Sequence, residues 1–293
     1  MSGPLIVDTH MHLYRSAEDA AVAKGGYQIW EYGEREDMHF SRRSGDLASA
    51  IDGMAVADCR FAVVTNLHDA PRPGVPLHED LVAFNRWLCE VARDDPRFYP
   101  LIAVDPNVMS VADNVAHLEQ MAHDEGARGI KLHPPVQRLD VADQSLWPIF
   151  ETCRRLDLAI VSHAGPASDG SGRGTPESFR PVLDAFPGLR LVLAHMGGQS
   201  WRQLPAIARD YPWVRFDLCE IVEWLGASLA PTVDEFVGLV REVGPGRVMM
   251  GSDFPWYDID HTVDLVLDLP RLTIAEKHAM LGENAAGFFR LSV

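Results

Sequence analysis

Positive charge is in short supply in this 293-residue chain: 26 Lys and Arg stand against 42 Asp and Glu, a formal net charge of −16. The deficit argues against a nucleic-acid backbone or an anionic membrane as partner, because both would repel the chain. A small anionic ligand stays open, since it answers to the local field of a pocket. Long apolar runs are missing as well, and no window approaches the roughly 18 consecutive apolar residues of a membrane span. The segment Met1–Leu13 has no basic start and carries Asp8 within its apolar stretch, so it is not expected to act as a secretory signal. Cysteine is scarce: four residues (Cys59, Cys89, Cys153, Cys219), far apart and without a CxxC. Such thiols read as small buried hydrophobes in a chain long enough to fold without cross-links, and they fit a reducing cytoplasm. Neither a GxGxxG nor a P-loop is present, which counts against an open doubly wound sheet.

What is there is a repeated pattern. A short apolar run is followed by a polar or Gly/Pro loop and then by a longer stretch of helical period. The runs are Leu5–Thr9, Phe61–Asn66, Phe98–Val104, Gly129–Leu132, Leu158–Ser162, Leu189–Ala194, Val214–Leu218 and Val248–Gly251. Their Val, Ile, Leu and Phe show little polar alternation, as expected of parallel strands covered on both faces. Amphipathic stretches such as Asp80–Arg93, Val111–Glu125, Ser145–Leu156 and Thr232–Val243 lie between them. Eight strand–helix units predict an α/β fold, a closed (β/α)₈ TIM barrel forming one domain over residues 1–293. The first two runs stand far apart, so Tyr14–Gly45 reads as an insertion in the first strand–helix loop, with Tyr27, Trp30, Tyr32 and Phe40 among charges. In a barrel that loop lies on the catalytic face. It is either a cap over the pocket or a surface excursion used in packing or oligomer contact.

Polar residues gather at the ends of these runs. His10 and His12 close the first, and at i and i+2 of a strand their rings project from one side less than about 7 Å apart, able to grip one ion. Asp8, two residues earlier, is placed to hold an imidazole from behind. Lys131 and His133 close the fourth run, His163 the fifth, His195 the sixth, and Asp253 follows the eighth. Barrel enzymes place their chemistry at this edge. A core histidine satisfied by backbone explains any one of these positions, but not all of them together. His39, His68, His78, His117, His123, His261 and His278 fall in loops or helices and read as mostly surface, with His68 near the pocket rim. Arg173, Glu220 and Trp256 are weaker candidates for shaping the pocket or meeting a substrate carboxylate.

The order of these residues resembles the amidohydrolase superfamily. It is carried by Val7-Asp8-Thr9-His10-Met11-His12, Gly129-Ile130-Lys131-Leu132-His133-Pro134, Ala194-His195-Met196-Gly197-Gly198, Gly251-Ser252-Asp253-Phe254-Pro255 and the closing Gly282–Phe289. More closely it resembles the amidohydrolase-related branch that includes aminocarboxymuconate semialdehyde decarboxylase, resorcylate-type decarboxylases and pyrone dicarboxylate lactonase. The resemblance implies His10, His12, His163 and Asp253 as ligands of one divalent metal ion, zinc in first place with manganese as the alternative. It implies His195 as the residue that polarises substrate or activates water, and Asp253 as a proton carrier. Imidazoles with one carboxylate are donors that zinc favours where a position stays open for water, whose pKa then falls from about 15.7 to about 7. Lys131 implies a second metal only if it is carboxylated. Otherwise it is a cation for a substrate carboxylate, and His133 supports either arrangement. The expected activity is hydrolysis of a small, carboxylated cyclic or acyl substrate by metal-activated water. The alternative is non-oxidative decarboxylation at the same metal. The expected partner is an anionic small molecule, with neither nucleic acid nor membrane, in a chain that the resemblance suggests is a homodimer.

Overall fold

The computed structural model describes residues 3–26 and 31–293. Eight strands lie in chain order in one sheet, every neighbouring pair parallel: β1 (Ile6–Met11), β2 (Cys59–Val64), β3 (Phe98–Ala103), β4 (Gly129–Leu132), β5 (Ala159–Ser162), β6 (Leu191–Leu193), β7 (Arg215–Asp217) and β8 (Val248–Met249). The first and last strands meet, with Thr9 N donating to Met250 O at 2.9 Å, Asp253 N to His10 O at 2.8 Å and His12 N to Phe254 O at 2.7 Å. This is the α/β TIM barrel that the alternation of runs and helical stretches predicts. Among the described residues, no helix is long and apolar enough to cross a membrane.

The expected amphipathic stretches form the helices Leu77–Asp94, Val111–Gln120, Trp147–Arg155 and Val233–Val243. The last starts on a capping box: Thr232 Oγ1 accepts from Glu235 N at 3.2 Å, while the Glu235 carboxylate accepts from Thr232 N at 2.9 Å. That arrangement satisfies two donors the helix cannot pair internally. One histidine expected at the surface is buried instead. His117 shares the buried face of its helix with Leu118, and its Nε2 meets Asn85 Nδ2 at 3.0 Å. Asn85 also bonds the backbone of Ala103 on both sides, so the ring is satisfied inside the core. His68 Nε2 lies 2.9 Å from Asp80, a buried carboxylate that also collects Arg15 and Arg72.

Below the mouth, Val7, Val63, Leu101, Ala159, Val161, Val192 and Met249 fill the barrel, and Phe289 packs beneath them. Phe289 belongs to the closing helix Asn284–Phe289, where Asn284 Nδ2 donates to Pro245 O at 2.8 Å and Val248 O at 2.7 Å. The interior is therefore a packed core, and chemistry is confined to the strand ends.

In the segment 14–45, Tyr27 and Trp30 lie outside the described residues. The rest carries the helix Ala17–Gly26, and Lys24 Nζ donates to the carbonyls of Ser41, Arg43 and Pro255 at 3.2, 3.1 and 2.9 Å. Tyr32 is buried and stacks on Trp224, ring centroids 5.6 Å apart.

Candidate functional site

β1 does not run with an unbroken two-residue alternation. Asp8 pairs with Ala62 and Met11 with Val64, so three residues of β1 span what two cover on β2. The extra residue flips the faces between these points, putting Asp8 on the side away from His10. Asp8 therefore holds no imidazole, contrary to the expectation from spacing. It accepts from His10 N and Ser252 N, each at 3.0 Å, and from Ser252 Oγ at 2.5 Å, knitting β1 to the β8 end. Burial pushes its carboxyl up to about 7.

Beyond the bulge, His10 and His12 face the mouth. His10 Nδ1 lies 3.0 Å from Asp217 Oδ2. Asp217, at the end of β7, is the carboxylate that orients the ring, and its other oxygen accepts from His195 N at 2.8 Å. With its proton on Nδ1, His10 presents the Nε2 lone pair, where Lys131 Nζ sits 2.7 Å away. Burial, with Lys131 beside it, pushes His10 down to about 4, so the ring is neutral as a metal ligand must be. His12 Nε2 lies 3.1 Å and His10 Nε2 3.5 Å from Asp253 Oδ1. Burial works to raise the Asp253 carboxyl, but the His12 hydrogen bond, with His10 and Lys131 close by, outweighs it and holds it below the ordinary carboxylate value.

His10, His12 and Asp253 thus offer three donor atoms within 4.8 Å of one another, all buried. His12 Nδ1 and both ring nitrogens of His163 are buried without hydrogen-bond partners. Buried orphan nitrogens in a well-packed fold call for an ion or ordered water. Neutral imidazoles, a carboxylate and unfilled nitrogen valence fit a divalent cation. Two further donor groups overlap this one, His195–Glu220–Asp253 and His10–His195–Cys219.

His163 lies outside these groups. Its Nε2 is 3.0 Å from Glu31 Oε1, and its ring is stacked on His133 at 4.0 Å and tilted against His195 at 4.6 Å. Burial, followed by the neighbouring His163, holds both His133 and His195 well below the usual histidine range. Burial also lowers Lys131. Three site residues, His195, Glu220 and Asp253, hold left-handed backbone at φ 58°, 61° and 59°, a local strain that collects at functional sites.

His10, His12, Lys131, His133, His195, Asp253 and Trp256 line one cavity of about 190 Å³, with Val22, Ala23, Gly26, Leu67, Asp69 and Val136. Trp256 stands edge-on to His12 at 5.1 Å. Glu220 is buried behind His195, its Oε2 3.5 Å from Nδ1. Arg173 is not brought in: it pairs within its own loop with Asp169 at 3.2 Å and Ser171 at 2.8 Å. Four residues escaped the sequence reading. Asp217 and Cys219 had a usable signal, an acid and a thiol at the end of an apolar run. Cys219 departs from the inert-thiol reading: its Sγ donates to Asp217 at 2.8 Å and lies 3.0 and 3.1 Å from His10 and His195. Asp69 and Glu31 come from loops whose paths the sequence does not reveal.

Fold and site together define a TIM barrel with imidazoles and a carboxylate converging at its C-terminal mouth. The chain belongs to the amidohydrolase family, which it matches over residues 7–291. It is 24% identical over 238 residues to 2-amino-3-carboxymuconate-6-semialdehyde decarboxylase of Dictyostelium discoideum, covering 71% of this chain. The match spans 65% of that relative, slightly less than two thirds of its length. Among solved structures, 5-carboxyvanillate decarboxylase of Sphingomonas paucimobilis superposes with a TM-score of 0.71 at 17% identity, covering 99% of this chain and 100% of the other. A dihydroxybenzoic acid decarboxylase of Polaromonas sp. JS666, solved with manganese and the inhibitor 2-nitroresorcinol, gives 0.68 at 17% identity, covering 100% and 98%. These relatives are decarboxylases, which moves the weight from hydrolysis to the alternative.

Proposed function

We propose that the protein is a divalent-metal-dependent carboxy-lyase that removes CO₂ from a small, hydroxylated aromatic or related unsaturated acid. The observation that carries this is the buried donor group His10–His12–Asp253 at the floor of a narrow, apolar-walled cavity. At about 190 Å³ the cavity is smaller than the roughly 300–1,000 Å³ that suits drug-sized ligands. It has room for one ring between Leu67, Val136 and Trp256, with the polar end of the ligand turned toward the histidines.

Bound on His10, His12 and Asp253, with His163 adjacent, a divalent ion would supply a fixed positive charge for the ligand's anionic oxygens. Manganese, present in a relative, is the first candidate and zinc the second. The cavity lining counts two acids, Asp69 and Asp253, against Lys131, a formal −1 with the histidines neutral; a divalent ion turns that to +1 and admits an anion. The reaction breaks the bond from ring to carboxylate, leaves its electron pair on the ring carbon, releases CO₂ and consumes one proton. Asp253 is the proposed carrier of that proton, and His195 the proposed hydrogen-bond partner of the substrate's oxygen. The segment 14–45, which contributes Val22, Ala23 and Gly26 to the walls, is proposed as a cap that excludes water while the carbanionic carbon waits for its proton.

A panel of hydroxybenzoates, carboxylated phenols and their esters, given to the manganese-loaded protein, tests the reading. Release of CO₂ that stops on chelation supports it. New acid from the esters without CO₂ would return the site to hydrolysis.

A further inference from the structure

We propose that Asp69 selects the substrate: its carboxylate is a fixed hydrogen-bond acceptor in the cavity wall, which takes a ligand bearing a hydroxyl or amino donor and rejects one that lacks it. The inference rests on the decarboxylase reading for the ligand's class, which it narrows to a hydroxy- or amino-substituted acid. Among the described residues that line the cavity, the acids are Asp253 and Asp69, and only Asp253 belongs to the donor groups for an ion. Asp69 Oδ2 accepts from the hydroxyl of the buried Tyr14 at 3.1 Å, whereas Oδ1 is buried with no hydrogen-bond partner. An acceptor left unpaired away from water is costly, and what completes it is a donor. The neighbouring walls, Val22, Ala23, Leu67 and Val136, have no side-chain donor to offer. A ligand's own hydroxyl or amine is the group that fits.

The loop that carries this acceptor, after β2, is held on both sides of it. Ahead of Asp69, Asn66 Oδ1 accepts from Leu13 N at 2.7 Å and Asn66 Nδ2 donates to Leu13 O at 2.6 Å, tying the loop to the chain just past β1. His68 is drawn to Asp80, with Nε2 2.9 Å from the carboxylate, and Arg72 N donates to the same oxygen at 2.8 Å. Between them Ala70 O accepts from Arg15 at 3.2 Å. These bonds fix the backbone around Asp69, and Tyr14 fixes the carboxylate itself. An acceptor held this way loses little freedom on meeting a donor. It also discriminates: a ligand with a methyl group in place of the hydroxyl leaves the carboxylate buried and unpaired.

The test compares benzoates that carry a hydroxyl, an amino or a methyl group at the same ring position, taken in turn at the ortho, meta and para positions. Binding to the manganese-loaded, full-length protein is measured by titration calorimetry, and CO₂ is assayed separately. At one position at least, the hydroxy and amino acids should bind wild type about 10–100-fold more tightly than the methyl acid. Asp69→Ala and Asp69→Leu should each bring that ratio to within about threefold, with the methyl acid losing little. A merely structural role would weaken all three acids alike and leave the ratio standing. Equal binding of the three by wild type at every position, or binding of none, overturns the proposal without recourse to a variant. A preference that survives both substitutions overturns it as well, since the ion or the histidines would then be its source. Chelator competition gives the second readout: a tenfold or greater loss of Mn²⁺ affinity in the variants would make Asp69 a metal ligand and overturn its role as a selector. Because the ratio is read without turnover, absence of CO₂ with the ratio intact sinks the decarboxylase reading alone, and CO₂ release with no ratio sinks this inference alone.

Discussion

The barrel has a cavity at each end, and the two differ in kind. The groove by the N-terminal ends of the strands measures about 1230 Å³ and is walled by Arg60, Arg93, Arg97, Arg128, Arg190 and Arg290, among others; the mouth holds about 190 Å³. By size and charge the groove looks the better site. Most of its arginines, however, are already paired: Arg93 with Glu125 at 2.7 Å, Arg97 with Asp95 at 2.6 Å, and Arg190 and Arg290 both with Asp157. Such exposed pairs contribute about 0–1 kcal/mol each and ask for nothing further. At the mouth the charges are buried, and His12, His163, Asp69 and Glu31 keep polar atoms with no hydrogen-bond partner. Incomplete polar chemistry, not volume, distinguishes the working end.

The sharpest way to break this contrast is at Asp253. Asp253→Asn, assayed at saturating Mn²⁺ because it also removes a donor for the ion, should lower kcat by about 10³-fold with KM changed only a few-fold, since the proposed proton carrier is lost and the walls stay intact; steady-state kinetics with undiminished kcat would remove Asp253 from the chemistry. Asp217→Asn should weaken metal binding about 10–100-fold, because the ring orientation of His10 is lost while every ligand stays. Competition with a fluorescent chelator measures it, and unchanged affinity would reduce Asp217 to packing. A third, smaller effect is on stability in acid. Folded, metal-free protein keeps His10 neutral down to about pH 4, whereas an ordinary histidine in the unfolded chain takes its proton near 6.5. The unfolded state therefore binds more protons in that window, and stability falls as pH drops from 6.5 to 4, on the order of 3 kcal/mol for this group. Urea melts at pH 7 and 4.5 should show a smaller drop for His10→Gln. Smallest of all is the groove: Arg60→Ala with Arg128→Ala should leave kcat/KM within about twofold, and a larger loss would mean that the two ends are coupled.

Much of this architecture is legible in the chain because parallel strands buried on both faces must be apolar throughout, and β4 runs over the same residues as its apolar segment, Gly129–Leu132. The convergence of His10, His12, His195 and Asp253 follows from their place at strand ends. What resisted reading depended on register or on loop path. The extra residue in β1 moved Asp8 to the other face, and no composition signal marks it. His117 is buried because Asn85, 32 positions away, offers it a partner. Glu31 reaches His163 by a loop route that periodicity cannot encode. Arg173 follows β5 in sequence, yet finds its partners inside its own turn.

The contact between Lys131 Nζ and His10 Nε2 has a kinetic consequence. The lone pair that an ion would take is already used by the lysine, so filling the site is an exchange: the amine must rotate away before the ion can bind. Uptake should then be gated by a side-chain rearrangement inside a crowded space, with a rate that saturates with ion concentration instead of rising in proportion. Activity should follow addition of Mn²⁺ only after a lag. Lys131→Met, which cannot hold that nitrogen, should shorten the lag in stopped-flow mixing. That result would make Lys131 a timing element, setting how fast the protein becomes competent once the ion is supplied.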